Sequence, residues 1–353
     1  MKQVAMMEQF FEKARTCPQR IAFPEADDKK MLAAAYETAS AGFGACYLVG
    51  DGKALRALCR EQGIDESIFH FIDSNDEALR DQLVERYLES STGMYGKNTL
   101  TRRMSNPLYF AMVMQAIGEV DTTIGGLSAT TADVIRVAVE ILGMKEGGVI
   151  SSIALCQVPG HGSSEGETLV LADCGVCPNP DASELASIAI DSCDTVRDLL
   201  GWTPRCALLS FSTTGSASHD MVEKVTEALR LANQRRPDLM IDGEFQLDAA
   251  LDPVVAKKKV KRESKVAGQA NILIFPDLNA GNIGAKILQR FGGAEVYGPL
   301  LQGFKQVCTD SSRGASVSEL VGNIALTVVR AAAQGQERQT LSFAYDNMVS
   351  TTR

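Results

Sequence analysis

Short apolar runs, turns marked by glycine or proline, and longer stretches of helical spacing follow one another along nearly the whole chain. Residues 20–23 run into Pro24-Glu-Ala-Asp27 ahead of a helical pattern over 29–40, and residues 45–49 end at Gly50-Asp-Gly52 ahead of another over 53–62. Residues 68–72 precede an amphipathic pattern over 77–90, and residues 122–125 precede one over 134–142. A short apolar run without polar alternation suits a strand buried on both faces, as in parallel sheets with helices packed on either side. The repeated order of strand, loop and helix therefore predicts an α/β fold with mostly parallel sheets. At 353 residues the chain exceeds one average core, so two domains are expected.

The pattern changes character at Gly147-Gly148, which reads as a hinge. Beyond it, residues 149–155 and 168–172 form two strands around the loop from Gly160 to Gly166. A helix over 182–200 opens at Asp181, with Glu184 at the spacing of a capping box. Residues 207–211 read as a strand and 221–235 as a helix, and residues 240–246 lead to 248–256 and then to a basic turn over 257–262. Ser105-Asn-Pro107 starts a methionine-rich helix over 108–117, whose Met112 and Met114 read as core. Ile272-Leu-Ile-Phe275 is a buried strand, and Pro276-Asp-Leu-Asn-Ala-Gly281-Asn-Ile-Gly284 leads from it into a helix over 285–291. Strand-to-helix loops of this kind present backbone donors at a sheet's carboxyl edge, where α/β proteins bind anions.

Charge and cysteine usage narrow the function classes. A net charge of −9 disfavours nucleic acid and anionic membrane as partners, so an anionic substrate would need a local cluster of arginine and lysine. No apolar run reaches the length of a membrane helix, and the first residues lack a secretory signal's apolar core. Nine cysteines, spread through helix and strand patterns, read as reduced thiols of a cytoplasmic protein. Neither a GxxxxGK[ST] loop nor a GxGxxG fingerprint is present.

The chemistry-bearing candidates each admit two readings. Asp310-Ser-Ser-Arg-Gly314 sets the Ser312 hydroxyl beside the Arg313 guanidinium just ahead of a long helix, a pairing suited to phosphate or a developing oxyanion. Glu319 lies within reach as a proton acceptor, yet Ser316-Val-Ser-Glu319 has the spacing of a capping box. Arg136 follows Thr130-Thr131 at a helix start, where hydroxyls, helix N-terminus and guanidinium could face one anion, or where the arginine is simply solvated. Cys174-Gly-Val-Cys177 has the spacing of a metal or redox pair but no second pair, and no metal is expected. Lys257-Lys-Lys-Val-Lys-Arg262 reads as a solvated turn, with contact to a nucleotide phosphate as the other reading. His161 sits in the glycine-rich loop Pro159-Gly-His-Gly-Ser-Ser164.

Asp173-Cys-Gly-Val-Cys-Pro-Asn-Pro180, Arg236-Pro-Asp-Leu-Met-Ile-Asp-Gly243, Gln246-Leu-Asp-Ala-Ala250, Val266-Ala-Gly268, Ile274-Phe-Pro-Asp-Leu-Asn-Ala-Gly-Asn-Ile283, Tyr297-Gly-Pro299, Leu301-Gln-Gly303 and Asp310-Ser-Ser-Arg-Gly314 stand in one order and spacing. In these motifs the chain resembles the phosphate acetyltransferases (phosphotransacetylases), over nearly its whole length. The resemblance implies two three-layer α/β domains with mostly parallel sheets and an interdomain cleft, like those of isocitrate and isopropylmalate dehydrogenases. Domain I would be 1–148 with 300–353, and domain II 149–299. The implied activity is reversible acetyl transfer between coenzyme A and inorganic phosphate. The implied molecule is a cytoplasmic homodimer with no bound cofactor and with acetyl phosphate, phosphate and coenzyme A as its partners.

Ser312 and Arg313 match the family's serine–arginine pair, as stabiliser and anion holder, and Arg136 matches the arginine of its Thr-Ala-Asp-x-x-Arg helix start. Glu319 stands where the family commonly places an aspartate base, a longer arm on the same carboxylate. Thr130, Thr131, Asn282, Tyr297 and His161 are the further expected contacts to phosphate or coenzyme A. The family's arginine ahead of Gly93 has no match in Glu89-Ser-Ser-Thr-Gly93, and Lys97, Arg102 and Arg103 are the candidates to replace it. A phosphate butyryltransferase, a dehydrogenase on the same architecture and a non-catalytic coenzyme A-binding relative remain as alternatives.

Overall fold

The computed structural model describes residues 6–90 and 94–350, with side chains described as far as residue 335. The chain forms two compact units, one running to Gly143 and resuming at Phe304, the other Met144–Gly303. The first stretch holds α1 (Met6–Thr16), β1 (Gln19–Phe23), α2 (Lys29–Ser40), β2 (Gly44–Gly50), α3 (Gly52–Glu61), β3 (Phe69–Asp73), α4 (Glu77–Ser90), α5 (Lys97–Arg103), α6 (Pro107–Ala116), β4 (Thr122–Gly125) and α7 (Thr131–Ile141). The second unit holds β5 (Ser151–Gln157), β6 (Thr168–Ala172), α8 (Ala182–Leu200), β7 (Arg205–Leu209), α9 (Asp220–Arg235), β8 (Met240–Phe245), α10 (Leu247–Leu251), α11 (Pro253–Lys259), β9 (Ile272–Ile274), α12 (Leu278–Phe291) and β10 (Glu295–Gln302). The return adds β11 (Thr309–Asp310) and α13 (Val317–Ser350).

In the first unit the strand order is β11-β4-β1-β2-β3, and every pairing is parallel. Ile21, Ala22 and Phe23 of the central β1 are fully buried, which is why this strand carries no polar alternation there. Helix α6 is buried from Leu108 to Gln115, Met112 and Met114 included, and so shows no amphipathic stripe. Asp28 caps α2 by accepting from the backbone N–H groups of Lys30 and Met31, a contact that contributes about 1 kcal/mol. The order β11-β4-β1 matters for function, because it sets three strand-to-helix loops side by side at one sheet edge. Those loops are residues 311–316, 126–130 and 24–28.

In the second unit the order is β10-β5-β6-β9-β7-β8. The pairings of β5 with β6 and with β10 are antiparallel, and the others are parallel. The capping box expected at Asp181 and Glu184 is formed in both directions. One expectation from sequence is revised. Residues 247–259 form two helices, because Asp252 ends α10 and then caps α11, whose first residue is Pro253. Lys257, Lys258 and Lys259 form the last turn of α11 instead of a basic turn, and Lys259 donates to Asp248 and Gln246.

Candidate active site

Backbone N–H groups at the start of a helix attract anions, and the loop between β4 and α7 turns four of them toward one point. That point is the protein's own Glu25, a residue only 6% exposed. Its Oε1 accepts from Gly126 (3.3 Å) and Ala129 (2.9 Å), and its Oε2 from Leu127 (2.7 Å) and Ser128 (3.1 Å). The N–H groups of the loop ahead of Thr130 are thus taken from within by a side chain 101 residues or more away. Gly126 is required here, with φ of +96° and an added Cβ placed 2.0 Å from Asp310 Oδ1.

Asp310 closes the next loop over. Its Oδ2 accepts from the Thr131 hydroxyl at 2.6 Å, while its buried Oδ1 has no hydrogen-bond partner. Burial pushes its carboxyl up to about 6, assisted by the neighbouring Glu25 charge and opposed by the Thr131 hydrogen bond and by Arg313. From this anchored end the chain emerges into solvent, and Ser312 and Arg313 are both exposed. The Ser312 Oγ accepts weakly from the Gly314 N–H at 3.4 Å, leaving its proton free to donate elsewhere. Lys30, the second residue of α2, donates to the carbonyls of Arg313 (3.1 Å) and Ala315 (3.0 Å).

The remaining candidates of this unit are placed as follows. Thr130 caps α7, accepting from the Asp133 N–H and donating to its carboxylate. Arg136 donates to Asp133 at 2.9 Å and to the Tyr109 hydroxyl at 2.8 Å. Arg103 reaches the same hydroxyl, and both guanidinium groups lie near Glu140. Glu319 is exposed, and its Oε2 accepts from both the N–H and the hydroxyl of Ser316 at 2.8 Å. The Ser316 hydroxyl meets the Glu319 N–H in return, so the capping box suggested by sequence is present. The Ser316 N–H and hydroxyl hold the Glu319 carboxyl below its ordinary value. Ser91, Thr92 and Gly93 lie outside the described residues.

In the second unit the counterpart of Glu25 is Asp173, 3% exposed at the end of β6. Its carboxylate accepts from Ser152 and from the N–H groups of Gly175 (2.8 Å), Val176 (3.2 Å) and Cys177 (2.6 Å). The Cys174-Gly-Val-Cys177 segment therefore wraps a carboxylate with its backbone. Burial raises both thiols, that of Cys177 to about 11. Asn282 donates to the carbonyl of Cys174, and Tyr297 to Glu295. The His161 Nε2 is buried without a partner. Arg262 of the basic stretch is bound to Asp242.

Sequence reading passed over Glu25 and Lys30. The available signal was an acidic residue one proline beyond the run 20–23 with a lysine at the following helix start, a pattern too common to single out alone.

With the geometry in place, comparison with known proteins supplies the class. A family model described as phosphate acetyl/butaryl transferase matches residues 5–328, and the chain belongs to that family. A phosphate acetyltransferase of Acetivibrio thermocellus is 38% identical over 330 residues, covering 93% of this chain and 98% of that one. That of Clostridium acetobutylicum is also 38% identical, covering 92% and 98%. A crystal structure of a phosphotransacetylase from Streptococcus pyogenes superposes with a TM-score of 0.86 at 33% identity, covering 94% of this chain and 99% of that one.

Proposed function

We propose that this chain is a phosphate acetyltransferase, interconverting acetyl-CoA plus phosphate and acetyl phosphate plus coenzyme A. The observation that carries the reading is an exposed Ser312–Arg313 pair on a loop whose two ends are tied down, by Thr131 to Asp310 and by Lys30 to the Arg313 and Ala315 carbonyls. A preorganised hydroxyl and guanidinium stabilise charge that develops only in the transition state.

In the direction of thioester synthesis, the coenzyme A sulfur attacks the carbonyl carbon of acetyl phosphate. The C–S bond forms, the C–O bond to phosphorus breaks, and phosphate leaves with the electron pair. Ser312 donates to the carbonyl oxygen as it gains charge, while Arg313 and Arg136 hold the phosphate. Glu319 takes the thiol proton. A free thiol of pKa ~8.5 is mostly protonated at neutral pH, so such a base assists. The capping bonds leave Glu319 a weaker base than an unbonded carboxylate, which makes its share of the rate smaller than that of Arg313. Thr130, Thr131, Asn282, Tyr297 and His161 are assigned as further substrate contacts. The scheme needs no metal or prosthetic group.

The proposal extends to a cytoplasmic homodimer. All nine cysteines are free thiols, as suits a reducing compartment. Among the described residues no helix is long and apolar enough to cross a membrane. Ile283, Ile287 and Phe291 form an exposed apolar stripe along α12, between 52% and 85% exposed, which supports self-association through this face. Sedimentation of Phe291→Glu against the unaltered protein tests that face. The activity is tested by following thioester formation from coenzyme A with acetyl phosphate, and with butyryl phosphate in parallel. Turnover of acetyl phosphate supports the reading, preference for butyryl phosphate changes the acyl group, and no turnover by folded protein overturns it.

A further inference from the structure

One segment of seven residues, 24–30, touches both loops that carry the candidate chemistry. At its start Glu25 holds the four N–H groups of residues 126–129, and at its end Lys30 holds the carbonyls of Arg313 and Ala315. Between them Asp28 fastens the segment to α2 by its cap. The two loops are also joined directly, through Thr131 and Asp310. The result is a closed circuit: segment to β4–α7 loop, that loop to Asp310, and the Asp310 loop back to the segment through Lys30.

We infer that the β1–α2 segment is a clamp in which Glu25 and Lys30 act as positioning residues for the Ser312–Arg313 pair. This inference rests on the function proposed above. Neither side chain need touch substrate. Glu25 does the work that a bound anion does at other helix starts, making the β4–α7 loop rigid before any substrate arrives. Lys30 fixes the backbone on both sides of Gly314, the exposed stretch between the Ser311 N–H bond to the Gly125 carbonyl and the Ala315 N–H bond to the Ser312 carbonyl. A catalytic donor misplaced by about 1 Å can cost on the order of a hundredfold in rate, so a contact behind the loop has leverage on the chemistry.

The test uses the full chain with Lys30→Met, Lys30→Arg and Glu25→Ala, read by steady-state kinetics, melting temperature and hydrogen exchange of the amides of 311–316. Lys30→Met is expected to lower kcat about tenfold or more with an unchanged melting temperature and faster exchange across 311–316. Lys30→Arg, still able to donate to two carbonyls, should recover most of that loss. Glu25→Ala empties the cradle, and added formate should restore part of its activity by filling it. A Lys30→Met variant within twofold of the unaltered kcat, with exchange unchanged, overturns the inference. So does a loss in Lys30→Met and Lys30→Arg alike that merely follows a lowered melting temperature. If the unaltered protein forms no thioester, the proposed function fails instead, and the exchange of 311–316 in Lys30→Met alone decides whether the clamp exists.

Discussion

The two units each bury a carboxylate at a strand's end and wrap it in backbone N–H groups, Glu25 in one and Asp173 in the other. Asp173 is satisfied by three N–H groups and a hydroxyl, and the chain then runs through Pro178-Asn-Pro180 into a capped helix. Glu25 is equally satisfied, but the loop beside it ends in Asp310, which has one bonded oxygen and one bare one, and then in exposed Ser312 and Arg313. The same device therefore serves two ends. Complete satisfaction at Asp173 makes a fastener, whereas the loop next to Glu25 leaves the exposed Ser312 and Arg313 side chains available to a ligand.

That contrast can be broken experimentally by asking which loss appears in activity and which in stability. The largest effect is expected from Arg313→Ala, with turnover reduced about a hundredfold or more and the melting temperature unchanged; unaltered turnover would remove the Ser312–Arg313 pair from the mechanism. Asp173→Ala removes the acceptor of three N–H groups, that of the buried Cys177 among them, and is expected to cost about 3 kcal/mol in urea unfolding. A stable Asp173→Ala protein with impaired kinetics would reverse the roles assigned to the two cradles. Glu319→Gln should reduce kcat between about tenfold and a hundredfold while keeping the melting temperature, because glutamine still completes the capping box. Full activity would leave Glu319 as a helix cap only.

The smallest effect concerns Asp310 and sharpens the comparison by pH. Its carboxyl is raised in the folded protein to about 6 from an ordinary 3.8, chiefly by burial. Between those values the folded state binds more protons than the unfolded one, so this group favours folding at low pH and that contribution is lost as pH rises through about 6. Asp310→Asn, which keeps an acceptor for Thr131, should therefore raise the melting temperature relative to the unaltered protein at pH 8, by more than it does at pH 4. An equal difference at both pH values would show that the unpaired Oδ1 carries no charge penalty.

Much of the fold was legible because it depends on neighbours in sequence. Strand 168–172, the helix capped by Asp181 and the box of Ser316 with Glu319 all rest on contacts within a turn or on a period of burial, and those survive reading in one dimension. Strand β11 did not, since two residues carry no periodicity, and neither did the short helix α5.

Residue types and their order along this chain were enough to determine an α/β protein of this family and to single out Ser312, Arg313 and Arg136 as candidates. What those residues rest on was decided only in three dimensions. Glu25 meets its loop across 101 residues and more, Thr131 meets Asp310 across 179, and Lys30 meets Arg313 across 283. Local spacing cannot encode such partners. They meet because β11, β4 and β1 lie side by side and parallel, so that three loops far apart in the chain leave the sheet at the same edge.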